Sequence, residues 1–248
     1  MSETRVRLNR YLSMCGVASR RQADQLIAGG RVQVNGQPAP RLGTAVDIYN
    51  DTVRVDGRVV RPPRRCGYFV FHKPAGCLCS RGDPQGRKTI YDLLPPELRK
   101  LKYVGRLDQD TEGLLLLTDD GGLIEYLTHP RNQIPRTYRA EVRGLLREAD
   151  IEPLRRGIEY EGESYRPAQA RIIAAERPRN RTRLEITIRE GKKREVRMML
   201  RALGIQVERL TRTAFGPLRL ERLPQGDCRA CRPDEMSQLL RKMTSASS

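Results

Sequence analysis

Hydrophobic positions in the first sixty residues change period partway along. Leu8, Tyr11 and Leu12 share one helical face, and Gly16 follows shortly after, so a short helix is predicted there. Ser19 followed three residues later by Gln22 makes a capping box ahead of Ala23, Leu26 and Ile27, and Gly29-Gly30 closes this second helix. The period then becomes two. Arg31-Val-Gln-Val34 alternates into an Asn35-Gly36 hairpin turn, and Val53 and Val55 alternate up to Asp56-Gly57, with Val59 beyond. Two small helices packed on short strands are expected. Arg61-Pro-Pro-Arg-Arg65 has no apolar face and reads as a linker.

From residue 66 the pattern is that of a larger unit. Tyr68-Phe-Val-Phe71 reads as an apolar strand, followed by a loop rich in Gly and Pro. In GRLDQDTEGLLLLTDDGGL, residues 105–123, a polar loop holding Asp108 and Asp110 runs into Leu114–Leu117, a run short enough for a buried strand. Asp119-Asp-Gly-Gly122 turns the chain, and Leu123, Ile124 and Leu127 begin a helix. Thr137 to Val142 alternates as a strand, as do Leu184, Ile186 and Ile188. After a Gly191-Lys-Lys193 turn, Val196, Met199, Leu200 and Leu203 recur at helical spacing, with Arg194, Arg197 and Arg201 together on the polar flank. Residues beyond Met243 look disordered.

Composition narrows the partner. No apolar run exceeds Leu114–Leu117, against the roughly 20 residues a bilayer demands, and mean hydropathy is −0.62, so no membrane association is expected. The N-terminus has no export pattern, which points to the cytoplasm, where the six cysteines would be reduced thiols. Lys and Arg number 47 against 30 acidic residues, a net charge of +17 that attracts polyanions. Most of the cations are arginine, whose planar guanidinium suits phosphate. Residues 1–65 hold 12 arginines against 5 acids, so the N-terminal quarter is the more basic part per residue. Nucleic acid is the leading partner class.

Asp108 and Asp110 could form a metal or acid/base site, and an ordinary solvated turn has the same spacing. Cys77-x-Cys79 with Cys228-x-x-Cys231 is a poor zinc set, because C-x-C is an unusual half-site, and no metal is expected. The loop over residues 76–86 lacks the Gly-Lys-Ser/Thr of a phosphate loop.

Two resemblances organise these features. The stretch RLNRYLSMCGVASRRQADQLIAGGRVQVNG resembles the S4 RNA-binding domain over residues 5–62, which implies an RNA surface at Arg20, Arg21 and Arg31. GRLDQDTEGLLLLTDDG resembles the central motif of pseudouridine synthases of the RsuA family, and the likeness continues through HKPAG, DPQGRKTIYDLLP, RTYRAEV, EGKKREVRMMLRALG and LTRTAFGPLRLERLPQG. It covers residues 66–236 and leaves 237–248 as a C-terminal tail. The resemblance implies an α+β chain: an S4 module, then a catalytic domain with a mixed, mainly antiparallel sheet and a central cleft. It implies that Asp108 is the nucleophile, that Tyr138 stacks on the target base and that Arg197 forms an ion pair with Asp108. Arg106, Lys192, Lys193, Arg194 and Arg201 are expected to contact RNA. His72 stands where Asn is frequent in the family, and Arg136 where Lys is frequent. The implied activity is isomerisation of a uridine in ribosomal RNA or a pre-ribosomal particle, with large-subunit (23S) RNA favoured, by a monomer without cofactor. The rivals are a non-catalytic RNA-binding or ribosome-assembly factor, and a related synthase acting on 16S or transfer RNA.

Overall fold

In the computed structural model of the chain, residues 5–39, 43–47, 50–61 and 66–245 are described. Two compact units divide it, with the main boundary between Cys66 and Gly67. The expected linker falls largely on residues 62–65, outside the described residues.

The first unit runs β1 (Arg5–Arg7), α1 (Leu8–Met14), α2 (Arg20–Ala28), β2 (Val32–Val34), β3 (Gln37–Pro38), β4 (Ala45–Asp47), β5 (Val53–Val55) and β6 (Arg58–Val60). Ser19 caps α2 as its sequence requires, with its hydroxyl accepting from the Gln22 amide and the Gln22 side chain reaching back to the Ser19 amide. Asn35-Gly36 and Asp56-Gly57 both adopt positive φ, the geometry of two-residue hairpin turns, and link β2 to β3 and β5 to β6. Leu8, Tyr11, Leu12, Ala23, Ile27, Val32, Val46, Val53 and Val55 close a small core.

The second unit begins with β7 (Tyr68–Lys73), β8 (Lys102–Val104), β9 (Glu112–Thr118), α3 (Gly121–Thr128) and β10 (Arg136–Arg143). It continues with α4 (Glu148–Arg156), β11 (Ile158–Tyr160), β12 (Glu163–Tyr165), β13 (Gln169–Glu176), β14 (Arg181–Ile188), α5 (Glu195–Ala202), β15 (Val207–Phe215), β16 (Leu218–Arg219), β17 (Cys228–Ala230) and α6 (Pro233–Ser245). Seven strands follow the order β13-β14-β10-β15-β9-β7-β17, with β16 and β8 added to β15 and β9. Among the described strand pairings of this sheet only β15–β9 is parallel, so the sheet is mixed and mainly antiparallel.

β9 explains its own composition. Leu114 and Leu116 face one hydrophobic core with α3 and α6, whereas Leu115 and Leu117 face another with α4 and α5. A strand covered on both faces has no polar alternation to show. Each leucine withdrawn from water contributes about 1.5–3 kcal/mol, which makes β9 the fixed spine beside which the preceding loop is set.

Two expectations need correction. The C-terminal tail from residue 237 is part of α6, with Leu239 buried in the α3 core, because Met236, Leu239 and Met243 repeat at helical spacing on one face; residues 246–248 lie outside the described residues. The arginine stripe on α5 is interrupted, because Arg194 stands before the helix in a left-handed conformation (φ 54°). Among the described residues no helix is long and apolar enough to cross a membrane.

Candidate active site

The loop leading into β9 carries the two carboxylates, and it is held from beneath. Lys73, at the end of β7 and 0% exposed, donates from Nζ to the carbonyls of Pro74 (3.1 Å), Asp108 (3.1 Å), Gln109 (3.4 Å) and Thr111 (2.8 Å). An ammonium with its hydrogens committed to backbone oxygens acts as a peg for the loop. Burial pushes its pKa below the usual lysine value, although the Cys77, Cys79, Asp108 and Asp110 side chains act the other way. The Thr111 amide closes the loop onto the Asp108 carbonyl at 3.1 Å.

That turn sends the two carboxylates to different neighbours. Asp110 accepts two hydrogen bonds from Arg194, Nη1 to Oδ1 at 3.1 Å and Nη2 to Oδ2 at 2.9 Å. Arg197 donates from Nη2 to the Asp110 carbonyl at 2.8 Å, and its Nε lies 3.3 Å from Oδ2 in an ion pair off hydrogen-bond geometry. Burial pushes the Asp110 carboxyl up, but Arg194 and Arg197 together outweigh it and hold the group below its ordinary value. The expected Arg197–Asp108 pair is therefore not formed; Arg197 pairs with Asp110, which Arg194 at the start of α5 also engages. Among the described residues the Asp108 carboxylate has no ion pair or hydrogen bond, and Arg197 reaches it only as a longer-range charge.

Asp108 instead lines a cavity of about 640 Å³. Tyr138, on β10 and 8% exposed, lines it as well, as do Arg106, Lys192, Lys193 and Arg194. Glu195, the first residue of α5, is buried and accepts from the amides of Gly191 (2.7 Å) and Lys192 (2.8 Å), which folds the cationic turn against the helix start. Burial raises its carboxyl. Lys192 is engaged by Glu163 at 3.1 Å, whereas Arg106 and Lys193 are exposed and make no ion pair among the described residues.

The other expected RNA contacts are dispersed. Arg20 and Arg21 are exposed in the first turn of α2, where backbone amides also favour phosphate. Arg31 is already engaged by Asp56, at 2.8 and 2.6 Å, so its guanidinium is less available than its position suggests. Arg201 is exposed in the last turn of α5 and does not line the cavity.

His72 points away from this chemistry. Its Nδ1 lies 2.7 Å from the Leu223 carbonyl and so carries the proton there. Cys77 and Cys79 are buried, with burial raising both thiols, and no group of three or more metal-binding side chains occurs among the described residues.

Sequence reasoning assigned no role to Lys73 or Arg212. A lysine ending the apolar strand YFVFHK was the available signal for the first. Arg212 lines the same cavity, yet it lies in LTRTAF, where nothing separates a buried arginine from an exposed one.

Residues 67–202 match the RNA pseudouridylate synthase family, and residues 6–53 match the S4 domain. The chain is 42% identical to an uncharacterized RNA pseudouridine synthase of Aquifex aeolicus (strain VF5), over 95% of this chain and 94% of the other. It is 37% identical to ribosomal large subunit pseudouridine synthase B of Bacillus subtilis (strain 168), over 94% and 95%. A crystal structure of a pseudouridylate synthase superposes with a TM-score of 0.67 at 30% identity, covering 94% of this chain and 99% of that one.

Proposed function

Because the chain belongs to the RNA pseudouridylate synthase family, we propose that it isomerises a uridine of ribosomal RNA to pseudouridine, with large-subunit (23S) RNA as substrate. The observation that carries this reading is the shared cavity, in which an uncommitted Asp108 carboxylate and the Tyr138 ring face one space rimmed by the free cations Arg106 and Lys193. The name of the Bacillus subtilis relative supports the choice of large-subunit RNA.

The reaction exchanges an N-glycosidic bond for a C-glycosidic one and leaves the oxidation state unchanged, so it consumes no cofactor. The target base leaves its stack to enter the cavity, and the face of Tyr138 replaces part of the lost stacking. Asp108 then acts at the sugar as an ionised carboxylate. Arg194 and Arg197 contribute at one remove: they fasten Asp110 to α5 and thereby fix the loop that presents Asp108. Arg106 and Lys193 hold phosphate at the rim, and Arg20 and Arg21 capture RNA through the S4 unit. The chain acts as a monomer in the cytoplasm, where its substrate is made.

Pseudouridine mapping of total RNA, from cells with and without the protein, tests this reading. Loss of one or more 23S modifications is expected. Loss confined to 16S or transfer RNA would overturn the substrate, and no change would overturn the activity.

A further inference from the structure

Arg212 is the least accessible cation of the cavity. It is 1% exposed, its Nε donates to the Leu114 carbonyl at 2.8 Å, and its guanidinium carbon lies 4.9 Å from the centre of the Phe215 ring. Its Nη2 is buried without any hydrogen-bond partner among the described residues. Among the described residues no carboxylate is within ion-pair range of Arg212, nor of Arg136, which lies over the same Phe215 ring at 5.5 Å. A buried guanidinium with an idle donor is costly unless something brought into the site engages it.

Position indicates what that is. Arg212 is the cross-strand partner of Tyr138 in the β10–β15 register, and both side chains line the cavity. On its other side it is the register partner of Gly113, five residues beyond Asp108. Gly113 has φ 112°, and a Cβ there would overlap the Arg212 carbonyl oxygen and amide nitrogen, so the absent side chain lets the two strands close. A group that reaches Arg212 is thus one lying against Tyr138. On the reading of the preceding section that group is the base, while exposed Arg106 and Lys193 are placed for phosphate.

We propose that Arg212 is a catalytic residue that holds the detached uracil as an anion while it turns, with Nη2 donating to one of its carbonyl oxygens. This rests on the proposed isomerisation. When the C1′–N1 bond breaks, its electron pair stays on N1 and the negative charge spreads over N1, O2 and O4. The sugar's deficiency is met by the Asp108 carboxylate, which bonds C1′ or takes the C2′ proton. After rotation C5 bonds to C1′ as the Asp108–C1′ bond breaks and its electron pair returns to the carboxylate, or as the proton borrowed from C2′ returns; C5 then loses its proton and N1 gains one. The bound uridine is neutral and the detached base is not, so a buried cation favours the intermediate over the ground state.

Two measurements test this on the full chain. The first uses a short RNA containing the target uridine, alongside the same RNA with 5-fluorouridine, whose fluorine stabilises the departing anion. Arg212→Met is expected to lower single-turnover glycosidic cleavage by about 100- to 1000-fold with KM changed only a few-fold. The loss should shrink by about tenfold on the fluorinated RNA, and Arg212→Lys should fall between. A loss confined to RNA affinity, or an equal loss on both RNAs, would overturn the proposal. The second needs no variant: barbiturate, a uracil-shaped ring that is anionic at neutral pH, should inhibit the wild-type chain about tenfold more tightly than uracil. Equal inhibition would overturn it. A wild-type chain that forms no pseudouridine refutes the proposed function itself; active wild type with indifferent Arg212 variants refutes only this inference.

Discussion

Asp108 and Asp110 are two residues apart and face opposite fates under substitution. Asp108→Asn removes a charge that no ion pair or hydrogen bond among the described residues engages, so single-turnover isomerisation should vanish while RNA affinity stays within a few-fold and Tm changes little. Asp110→Asn removes the ion pairs with Arg194 and Arg197 but leaves the Arg197 hydrogen bond to the Asp110 carbonyl, and we expect about a tenfold loss of turnover, since the loop is loosened and the chemical group retained. The same pair gives a pH signature. The folded Asp110 carboxyl sits below its ordinary 3.8, so its contribution to stability is complete above that value and is lost as pH falls through the folded value. The Tm difference between wild type and Asp110→Asn should therefore shrink as pH falls below 3.8; a difference that stays constant on further acidification would contradict the clamp. Lys73→Met leaves four backbone carbonyls without their donor, and urea denaturation should report a loss of about 1–3 kcal/mol. How much of this was legible differs by residue. GRLD marks Asp108 through a family likeness, but the partner of Arg197 depends on which way a turn throws two carboxylates.

At the scale of elements, the legible ones carry their signal within a few consecutive residues. Ser19 with Gln22, Asn35-Gly36 and the Leu114–Leu117 run each declare a local geometry that packing then accepts. Others gave weaker signals. α4 contains Pro153, β13 exposes much of its length, and β15 carries Arg209 and Arg212 among its apolar residues. Their conformations follow from the sheet and cores they join. α6 is the sharpest case, since its end reads as a tail and its one face holds Leu239 at 1% exposure against the α3 core. Leu239→Ala should cost about 2–5 kcal/mol in chemical denaturation. A loss below about 0.5 kcal/mol would mean that α6 packs more loosely than its burial indicates.

For the whole molecule the governing quantity is charge. The net +17 sets long-range attraction to RNA, and the first 65 residues carry +7 of it. Each phosphate neutralised adds about 0.7–0.9 to the slope of log K against log salt. Arg20→Ala with Arg21→Ala should flatten that slope by up to about two such increments. Arg31→Ala should flatten it less, because Asp56 already holds that guanidinium. Affinities measured at four or five salt concentrations decide this, and an unchanged slope in the double variant would remove α2 from the RNA surface.

The sequence by itself determined the two-part organisation, the basic character, the local turns and caps, and the loop that bears Asp108. These depend on period, propensity and charge, which act over a few residues or sum over all of them. Tertiary structure alone decided which carboxylate Arg197 meets, what Lys73 fastens, and that Arg212 lies beside Tyr138 with a donor unused. Each of those facts needs strands or loops distant in sequence to close on one another, as β15 closes against β9 at Gly113. Burial of a cation is a property of that closure, and no window of the chain contains it.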